Sequence, residues 1–372
     1  MKVHSFHCES PEELKKMVLE QYPAFQPTLA VVFCSSGQDI NAIRSVFNAL
    51  AIDLVGCTTA GEIADAQLYE QSIVVMLLAI DRSFYRVLLE TFDAQGVGPT
   101  AEALGKQAVA AFKHPGGIML TGGLTIDAEL VIESLRKGAG KSIPMYGGMA
   151  GDDLEMRETI IFDNVTVSSQ GLLLLVLDTD HVSLQGVAVS GWEPIGGVNT
   201  ITKAEGNIIY TINDERAYDV FIRYFGLSEE DVLISIQTNY PLQIYKEGGY
   251  SVLRSPIVVN DKDGSITLSA SVKEGEKFRF SSSPGFEVID MAISKFQDFH
   301  QKVADADALI LFSCKGRHGA FGPLLEDEVN GIFREWKKPM IGFLSYGEFG
   351  DTGEGRCEFH NSTCSLAILK EK

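Results

Sequence analysis

The sequence is short of positive charge. It has 31 Lys and Arg residues against 50 Asp and Glu residues, and its formal net charge is −19 over 372 residues. Nucleic acids and anionic membrane surfaces are bound through clustered Lys and Arg side chains. We therefore expect neither a nucleic acid nor a membrane as a partner of this protein.

Long apolar runs are also missing. The longest aliphatic stretches, residues 73–80 and 172–177, fall well short of the roughly 20 residues that a membrane-spanning helix needs. The first residues lack the apolar core of a signal peptide. No Cys-x-x-Cys spacing occurs, so without an export signal we expect reduced thiols and a cytoplasmic protein. The cysteines are Cys8, Cys34, Cys57, Cys314, Cys357 and Cys364.

One short pattern is present three times. A brief apolar strand is followed by a glycine, and then by a second glycine with an acidic residue behind it. Such internal repeats indicate the architecture of a chain before any other signal does. The copies span residues 52–62, 143–152 and 339–348, and their acidic residues are Glu62, Asp152 and Glu348.

Each copy also has a strand and a helix ahead of it. Residues 29–34, 117–121 and 308–313 are continuous apolar runs, which is typical of strands covered on both faces. An amphipathic helix follows each run, with Asp39 and Asp127 as the expected N-caps of the first two helices. The pattern predicts three strand–helix–strand units.

Antiparallel structure is expected after each glycine loop. The expected strands pair as hairpins within each unit, and a fourth, weaker hairpin is preceded by Gly248 and Gly249. The proposed hairpins join residues 73–80 to 84–92, 172–177 to 182–189, and 256–259 to 265–272, and a final strand covers residues 363–369.

These elements predict an α/β fold of two related halves, built from repeated strand–helix–strand plus antiparallel hairpin units in mixed sheets. The length also favours about two domains. We expect an N-terminal extension at residues 1–24, a first half at 25–205 and a second half at 206–372. A loop at residues 191–197, rich in glycine and proline, is expected between the halves.

The glycine loops are the predicted functional surface. In open α/β sheets, ligands bind beyond the carboxyl ends of the strands. Glycine there permits close backbone approach and exposes N–H groups that can hold an anion, and the acid adds a fixed negative charge. This combination suits a small zwitterion. The alternative is that the glycines only make tight turns and the acids only cap helices or pair with surface cations.

Several motifs, in order along the chain, resemble those of the FIST family, which consists of bacterial sensory domains with paired N- and C-terminal parts. The motifs of the N-terminal part lie at residues 56–63, 147–153 and 191–194, and those of the C-terminal part lie at 313–317, 342–348 and 359–361. The resemblance covers nearly the whole chain and implies domains like FIST N at 25–205 and FIST C at 206–372.

The resemblance implies a non-catalytic sensor of small ligands such as amino acids. Free-standing members include the NosP type, which bind haem, sense nitric oxide and act on a partner histidine kinase. The sequence given carries no attached kinase, cyclase or methyl-accepting segment, so we expect a cytoplasmic bacterial sensor whose output passes through a separate protein such as a histidine kinase. A haem-binding sensor of the NosP type is the nearest alternative.

The candidate ligand-binding residues follow from the loops and from the C-terminal motifs. Arg317 has the fork-shaped cation that clamps a carboxylate or a haem propionate, although a structural salt bridge explains it equally well. Tyr346 and Trp192 are candidates for the walls of a pocket. The full candidate set is Gly56, Cys57, Thr58, Gly61, Glu62, Gly151, Asp152, Arg317, Ser345, Tyr346, Gly347 and Glu348.

The sequence leaves two further functions open, haem binding and catalysis by a thiol. If haem is bound, His360 and His318 are the candidate axial ligands, since they lie near strand ends within the motifs. Cys57 follows a glycine at a strand end, but a nucleophilic thiol needs a base, and no sequence signal identifies one. We therefore expect no catalytic residues, and a Cys57-dependent enzyme is the alternative from a different class. A module that binds only a protein partner is the third possibility.

Overall fold

The structure is a computed structural model that describes residues 1–92, 96–226, 240–246, 249–283, 285, 287–353 and 355–372. Gly248, expected to precede the fourth hairpin, lies outside these ranges. The predicted mixed α/β class is confirmed, with three six-stranded mixed sheets and one antiparallel eight-stranded sheet. Within the described ranges, no helix has both the length and the apolar character needed to cross a bilayer.

The first unit includes the residues expected to be an extension. Strand β1 pairs along its whole length with β6 and so belongs to the first sheet, and α1 packs on that sheet through Leu14 and Val18. Asp39 caps α2 as expected, accepting from the N–H of Ala42 at 3.0 Å. In order, the elements are β1 (Lys2–Cys8), α1 (Pro11–Phe25), β2 (Leu29–Ser35), α2 (Ile40–Ala49), β3 (Asp53–Thr59), β4 (Glu62–Ala64), β5 (Gln67–Tyr69) and β6 (Ile73–Ala79).

The second unit repeats this order. A short 3₁₀ turn at Arg82–Phe84 joins it to the first. Asp127 caps its second helix, accepting from the N–H groups of Glu129 at 3.1 Å and Leu130 at 3.3 Å. The elements are β7 (Tyr85–Thr91), α3 (Val97–Ala111), β8 (Pro115–Gly122), α4 (Ala128–Ala139), β9 (Met145–Met149), β10 (Ile161–Asp163), β11 (Val167–Ser168) and β12 (Gly171–Asp178).

The third unit begins with β13 (Val182–Val189) and is then interrupted by an insert that forms the eight-stranded sheet. This sheet is curled, and we call the insert the half-barrel; its apolar face packs on α5. The first residues of β14 had been expected to be a loop. The insert contains β14 (Glu193–Glu205), β15 (Ile208–Ile212), β16 (Glu215–Arg216), α5 (Ala217–Phe225), β17 (Leu242–Tyr245), β18 (Ser251–Arg254), β19 (Pro256–Asn260), β20 (Ser265–Leu268) and β21 (Lys277–Ser282).

After the half-barrel the third unit resumes in the order of the other two, with an additional short helix and a 3₁₀ turn ahead of its second long helix. Its elements are α6 (Glu287–His300), β22 (Ala308–Cys314), α7 (Lys315–Phe321), a 3₁₀ turn (Gly322–Leu324), α8 (Leu325–Trp336), β23 (Met340–Ser345), β24 (Glu348–Gly350), β25 (Glu358–His360) and β26 (Cys364–Glu371). Of the two expected halves, residues 25–205 hold the first two units without β1 and most of α1, and they also include β13 and β14. Residues 206–372 hold the rest of the half-barrel and of the third unit.

The strand pairing is the same in all three units. Strands β2 and β3 are parallel, β6 is antiparallel beside β2, and β1 forms the edge. The corresponding sets are β8, β9, β12 and β7, and β22, β23, β26 and β13. Two of the expected hairpins are therefore wrong, because β6 and β7 lie in different sheets, as do β12 and β13. The third expected hairpin, β19 with β20, is confirmed.

Each unit also donates strands to the sheet of another unit. The β4–β5 hairpin of the first unit pairs with β23 of the third, and β10 of the second pairs with β3 of the first. The β24–β25 hairpin of the third unit pairs with β9 of the second. The first unit therefore donates strands to the third, the third to the second, and the second to the first. Each six-stranded sheet contains four strands of its own unit and two strands of another unit.

The core has a central part and three outer parts. Alternate residues of all three sheets face one another in the centre, where the rings of Phe33 and Phe343 lie 4.6 Å apart and those of Phe312 and Phe343 lie 5.6 Å apart. The opposite faces of the sheets pack on the helices of their own units. This two-sided burial explains the continuous apolar runs in the sequence.

Candidate functional site

The first glycine of each repeat is required by the spacing of two parallel strands. A Cβ atom on Gly56 would lie 2.6 Å from the carbonyl oxygen of Val32, and the corresponding distances at Gly147 and Gly342 are 1.9 and 2.2 Å. No side chain fits at such distances, so these positions admit only glycine. Gly56, a predicted ligand-binding residue, therefore lies inside a buried strand.

The three loops that follow these strands converge, as the sequence predicted. We call residues 58–62, 149–153 and 344–348 the first, second and third loops. Each loop exchanges two backbone hydrogen bonds with the segment next to it, so that the three loops form a closed set. The bonds run from Leu344 to Gly61 at 2.8 Å and Ala60 to Leu344 at 3.0 Å, from Met149 to Gly347 at 2.8 Å and Tyr346 to Met149 at 3.2 Å, and from Thr58 to Ile160 at 2.8 Å and Gly151 to Thr58 at 2.9 Å.

The acids of the three repeats do not occupy equivalent places. In the strand pairing Glu62 lies opposite Phe343, and Glu348 lies opposite Gly148. The corresponding residue of the second unit is Ile161, opposite Cys57. Asp152 instead begins a segment, residues 152–160, that the other two units lack at this point. Sequence alignment by the second glycine therefore matched Asp152 to the wrong position.

Glu62 and Glu348 are buried and serve their own loops. Glu62 accepts from Thr59 Oγ1, from the N–H of Ser72 at 3.0 Å and from Ser72 Oγ at 2.9 Å. Burial raises its pKa to about 7. Glu348 accepts from Ser345 Oγ at 2.7 Å, and burial raises its pKa well above the usual range. Both carboxyl groups hold the turn around them and are fully shielded from solvent.

Asp152 organises the inserted segment. Its carboxylate accepts from the N–H groups of Arg157 at 2.6 Å and Glu158 at 3.1 Å, and from the phenol of Tyr346 at 2.5 Å. The same phenol oxygen accepts from the N–H of Leu154 at 2.9 Å. Tyr346 therefore ties the third loop to the inserted segment of the second unit. The pKa of Tyr346 is raised, first by burial and then by its bond to Asp152.

A cavity of about 590 Å³ opens beside the first loop, and we call it the loop cavity. Its walls come from all three units and lie at the carboxyl ends of β2, β3, β9 and β22, where α/β sheets bind ligands. The described lining residues are Ser35, Ser36, Gly37, Gln38, Ala60, Glu70, Gln71, Asp153, Glu155 and Lys315.

The charges of the loop cavity are mixed. Asp153 Oδ2 accepts from Ser35 Oγ at 2.6 Å, from Ser36 Oγ at 3.0 Å and from the N–H of Ser36 at 3.2 Å. Lys315 is half-buried, and its ammonium lies 3.2 Å from His318 Nδ1. Because the side chain is half-buried, its ammonium is partly desolvated, and burial lowers the pKa of Lys315. One ammonium group and three carboxylate groups therefore line the cavity.

Two models of known protein families match the chain, one in each of its parts. A model of the FIST N domain matches residues 28–215, and a model of the FIST C domain matches residues 217–351. The chain belongs to the FIST family. FIST domains are non-catalytic sensory domains of signal transduction. The resemblance seen in the sequence is therefore confirmed.

The FIST protein is also similar to a protein from an archaeon. It is 22% identical to "Uncharacterized protein MJ1623" of Methanocaldococcus jannaschii over 403 aligned residues. The alignment covers 92% of this chain and 73% of that protein. The similarity therefore extends across both FIST parts.

None of the twelve predicted ligand-binding residues is among the described lining residues of the loop cavity in the FIST protein, although some of the lining residues are their neighbours in sequence. Ala60 precedes Gly61, Asp153 follows Asp152, and Lys315 lies two residues before Arg317. The predicted glycines and acids fix the backbone of the loops. None of the ten described lining residues was predicted. The available signals were that Ser35 ends the apolar run of β2 and that Asp153 and Lys315 lie within the family motifs.

Arg317 and Cys57 are both buried. Arg317 forms an ion pair with Glu328 and donates to the carbonyl oxygens of Ser190 and, at 3.2 Å, Ser362. Its guanidinium group is thus paired within the protein, as in the salt-bridge alternative. Burial raises the pKa of the Cys57 thiol well above its usual range, which disfavours the thiolate that a nucleophile requires.

The two candidate haem ligands have different surroundings. His318 is half-buried beside the Lys315 ammonium and next to a cavity with three carboxylates, which would repel the propionates of haem. His360 is buried, and its Nε2 lies 3.2 Å from the carbonyl oxygen of Gly350. Burial lowers the pKa of His360 to about 4, so its ring is neutral. Because Nε2 of His360 is already bonded, and because carboxylates lie close to His318, neither histidine presents a site that fits haem. Among the described residues, no cluster of three metal-binding side chains occurs.

Proposed function

We propose that this FIST protein is a sensor that binds an amino-acid-like zwitterion in the loop cavity and regulates a separate signalling protein such as a histidine kinase. The observation that carries the proposal is the charge pattern of the cavity. One partly desolvated ammonium, from Lys315, faces three carboxylates, from Glu70, Asp153 and Glu155, across about 590 Å³. The role of FIST domains in signal transduction supports the sensory part.

The chemistry of the walls suggests how a zwitterion would bind. Its carboxylate would pair with the ammonium of Lys315, because a desolvated cation gains most from a charge-assisted hydrogen bond. Its ammonium would face Glu70, since Asp153 is already bonded to Ser35 and Ser36. Glu155 is the second carboxylate within reach, because its ion pair with Arg157 at 3.4 Å is exposed and therefore weak. The excess of carboxylates favours a ligand with a second amine, such as a basic amino acid.

The position of the loop cavity gives a route from binding to signalling. Its walls belong to three units that are held together by the loops. A ligand shifts a conformational equilibrium only when it binds one state more tightly than another. A ligand that contacts all three units meets this condition whenever the units change their relative positions.

The proposal is tested by thermal unfolding with a panel of L-lysine, L-arginine, L-alanine and L-glutamate. We expect the two basic amino acids to raise the midpoint most, and a ligand present at 100 times its Kd adds about 2.7 kcal/mol to the free energy of unfolding. Lys315→Gln should abolish the shift. Lys16→Gln, at an exposed position on α1, is the matched control and should leave it unchanged. A flat response across the panel, or a full response in Lys315→Gln, contradicts the proposal.

A further inference from the structure

The carboxyl group of Glu62 is attached to the wall of the loop cavity without lining it. Glu62 is fully buried on β4, and its hydrogen-bond partners are Thr59 and Ser72. Thr59 precedes Ala60 and Ser72 follows Gln71, and both Ala60 and Gln71 line the cavity. The carboxyl group is therefore joined to the wall at two points, one on each side of its own strand.

Both protonation states of Glu62 fit this environment. In the ionised state one oxygen accepts from Thr59 Oγ1, and the other accepts from the N–H of Ser72 at 3.0 Å and from Ser72 Oγ at 2.9 Å. In the protonated state the carboxyl O–H donates to Thr59 Oγ1, because a hydroxyl group both donates and accepts. The second oxygen keeps its two bonds to Ser72. The exchange of a proton therefore requires the rotation of one hydroxyl group and no change of fold.

The titratable groups packed around Glu62 inside the protein are neutral. Cys34 on β2 and Cys57 on β3 are buried thiols, and burial raises the pKa of each well above its usual range. Tyr69 lies opposite Glu62 on β5, and burial raises the pKa of its phenol as well. None of these three groups carries a charge at neutral pH.

The charged groups that act on Glu62 belong to the loop cavity. The carboxylate of Asp153 raises the pKa of Glu62, and the carboxyl group of Glu62 acts in turn on the ammonium of Lys315. Glu70 also acts on this ammonium. His318, bonded to Lys315, stays neutral because burial lowers its pKa. A change in the charge inside the cavity is therefore felt by Glu62.

A basic amino acid would make such a change. It adds one net positive charge to the cavity, and a nearby positive charge favours the ionised form of a carboxyl group. Burial raises the pKa of Glu62 to about 7. At neutral pH about half of the molecules therefore carry the proton, and a moderate attraction is enough to release it.

We propose that a basic amino acid bound in the loop cavity releases the proton of Glu62 to the solvent, so that the protein senses its ligand and the pH together. This inference rests on the proposed function of the loop cavity. Because the coupling is reciprocal, the ligand binds more tightly as the pH rises through 7, and acidification releases it. A neutral zwitterion such as L-alanine adds no net charge and is coupled to the proton much less.

Isothermal titration calorimetry of the full chain with L-lysine between pH 6 and pH 8 tests the proposal. We expect binding to be roughly fivefold tighter at pH 8 than at pH 6, which is the ratio for a pKa of Glu62 that falls from about 7 to about 6 on binding. In Glu62→Gln the ratio should be close to one. Glu12→Gln, an exposed position on α1, is the matched control and should keep the ratio of the wild type.

The same titration at pH 7, repeated in two buffers of different ionisation enthalpy, counts the protons released. The wild type should release about 0.4 proton per L-lysine bound, and Glu62→Gln should release none. Ser72→Ala keeps the test open if Glu62→Gln does not fold. It removes one bond to the ionised carboxyl group and leaves the N–H bond in place, so the rise in affinity should move to higher pH.

The outcomes separate this inference from the proposed function. If L-lysine binds with the same affinity from pH 6 to pH 8, or if Glu62→Gln keeps the dependence on pH and the proton release, the coupling to Glu62 is wrong and the ligand site stands. If neither L-lysine nor L-arginine binds at any of these pH values, the proposed function is wrong and this inference with it.

Discussion

The residues that make the three repeats recognisable act on the backbone. Gly147 and Gly342 are fixed by the distance to a neighbouring carbonyl oxygen. Glu62 and Glu348 each bond a hydroxyl three residues earlier, Thr59 and Ser345, and so close the turn from within. Both acids are buried without an ion pair in the described part of the chain, and a buried carboxyl group is more stable in its neutral form.

The pKa of Glu62 leads to a prediction about stability and pH. Burial raises this pKa from 4.5 to about 7, so the folded state binds more protons than the unfolded state between these values. The contribution of Glu62 is therefore fully present below about pH 4.5 and is lost as the pH rises through 7. Glu62→Gln copies the neutral acid. We expect this variant to gain stability relative to the wild type as the pH rises, by roughly 3 kcal/mol at most.

Urea unfolding of the two proteins between about pH 5 and pH 8 measures this difference. Glu12→Gln is the matched control, because Glu12 is exposed on the first turn of α1, and its curve should run parallel to that of the wild type. Parallel curves for Glu62→Gln as well would show that the carboxyl group is charged in the folded protein at all these values.

The sequence predicted the place of the site better than its side chains. The loops converge as expected, because the glycine pattern records strict local demands on the backbone. The residues that line the loop cavity are not constrained by the backbone in this way, so they leave no comparable pattern in the sequence. Lys315 lies inside a recognised motif, yet a lysine after a strand looks the same in a sequence whether it faces a cavity or solvent. Glu70 lies after β5 and reaches the cavity only through the folding of the whole unit.

At the scale of elements, the inserted segment 152–160 is the clearest departure from the repeat. Three of its residues, Asp153, Leu154 and Met156, have φ angles of 55°, 66° and 54°. This conformation is unusual for residues other than glycine. The segment is held there by Asp152 and by the phenol of Tyr346, and it carries two residues of the loop cavity, Asp153 and Glu155.

Tyr346→Phe should therefore loosen the inserted segment. The change removes the bonds of the phenol to Asp152 and Leu154, each worth about 1 kcal/mol. We expect amide hydrogen exchange at residues 152–158 to become roughly tenfold faster, measured by mass spectrometry, and the ligand of the loop cavity to bind more weakly. Tyr69→Phe, whose phenol donates to Gln67 at the surface, should change neither. Unchanged exchange in Tyr346→Phe would mean that Asp152 holds the segment alone.

The parallel strands give a second prediction at this scale. A Cβ atom at position 147 would lie 1.9 Å from the carbonyl oxygen of Met119. Gly147→Ala must push β8 and β9 apart, and we expect a loss of about 3 kcal/mol or more, or no folded protein. Gly197→Ala has no atom within 4 Å of the new methyl group and should stay within about 1 kcal/mol of the wild type. Urea midpoints compare the two, and equal midpoints would contradict the close approach of the strands.

The elements themselves were predictable, while their partners were not. The apolar run 308–313 became β22, and Ala217–Phe225 is helical as expected, because both patterns are local. The pairing of β6 with β1 instead of β7 depends on which sheet lies beyond the turn at Arg82–Phe84. A strand of continuous apolar residues fits the interior of either sheet equally well, so its sequence does not indicate which sheet the strand joins.

At the scale of the whole molecule, the exchange of strands among the three units makes them depend on one another. Strand β23 is completed by β4 of the first unit, and β9 is completed by β24 of the third. The central core takes residues from all three sheets, including Phe33, Leu120 and Phe343. The two FIST parts matched by the family models therefore share their sheets and their core. The boundary near residues 205 and 206 remains a prediction about sequence.

This dependence predicts that neither FIST part folds alone. A chain of residues 1–216 retains β4 and β9 without β23 and β24, and a chain of residues 217–372 retains β23 and β26 without β4 and β13. Unpaired strand edges and a divided core favour aggregation over folding. We expect the full chain to show one cooperative urea transition by circular dichroism, and each separate part to show none. Co-expression of the two parts should restore the transition, since every strand then finds its partner. A cooperative transition in either isolated part, near the midpoint of the full chain, would mean that the exchanged strands contribute little and that each part carries a sufficient core of its own.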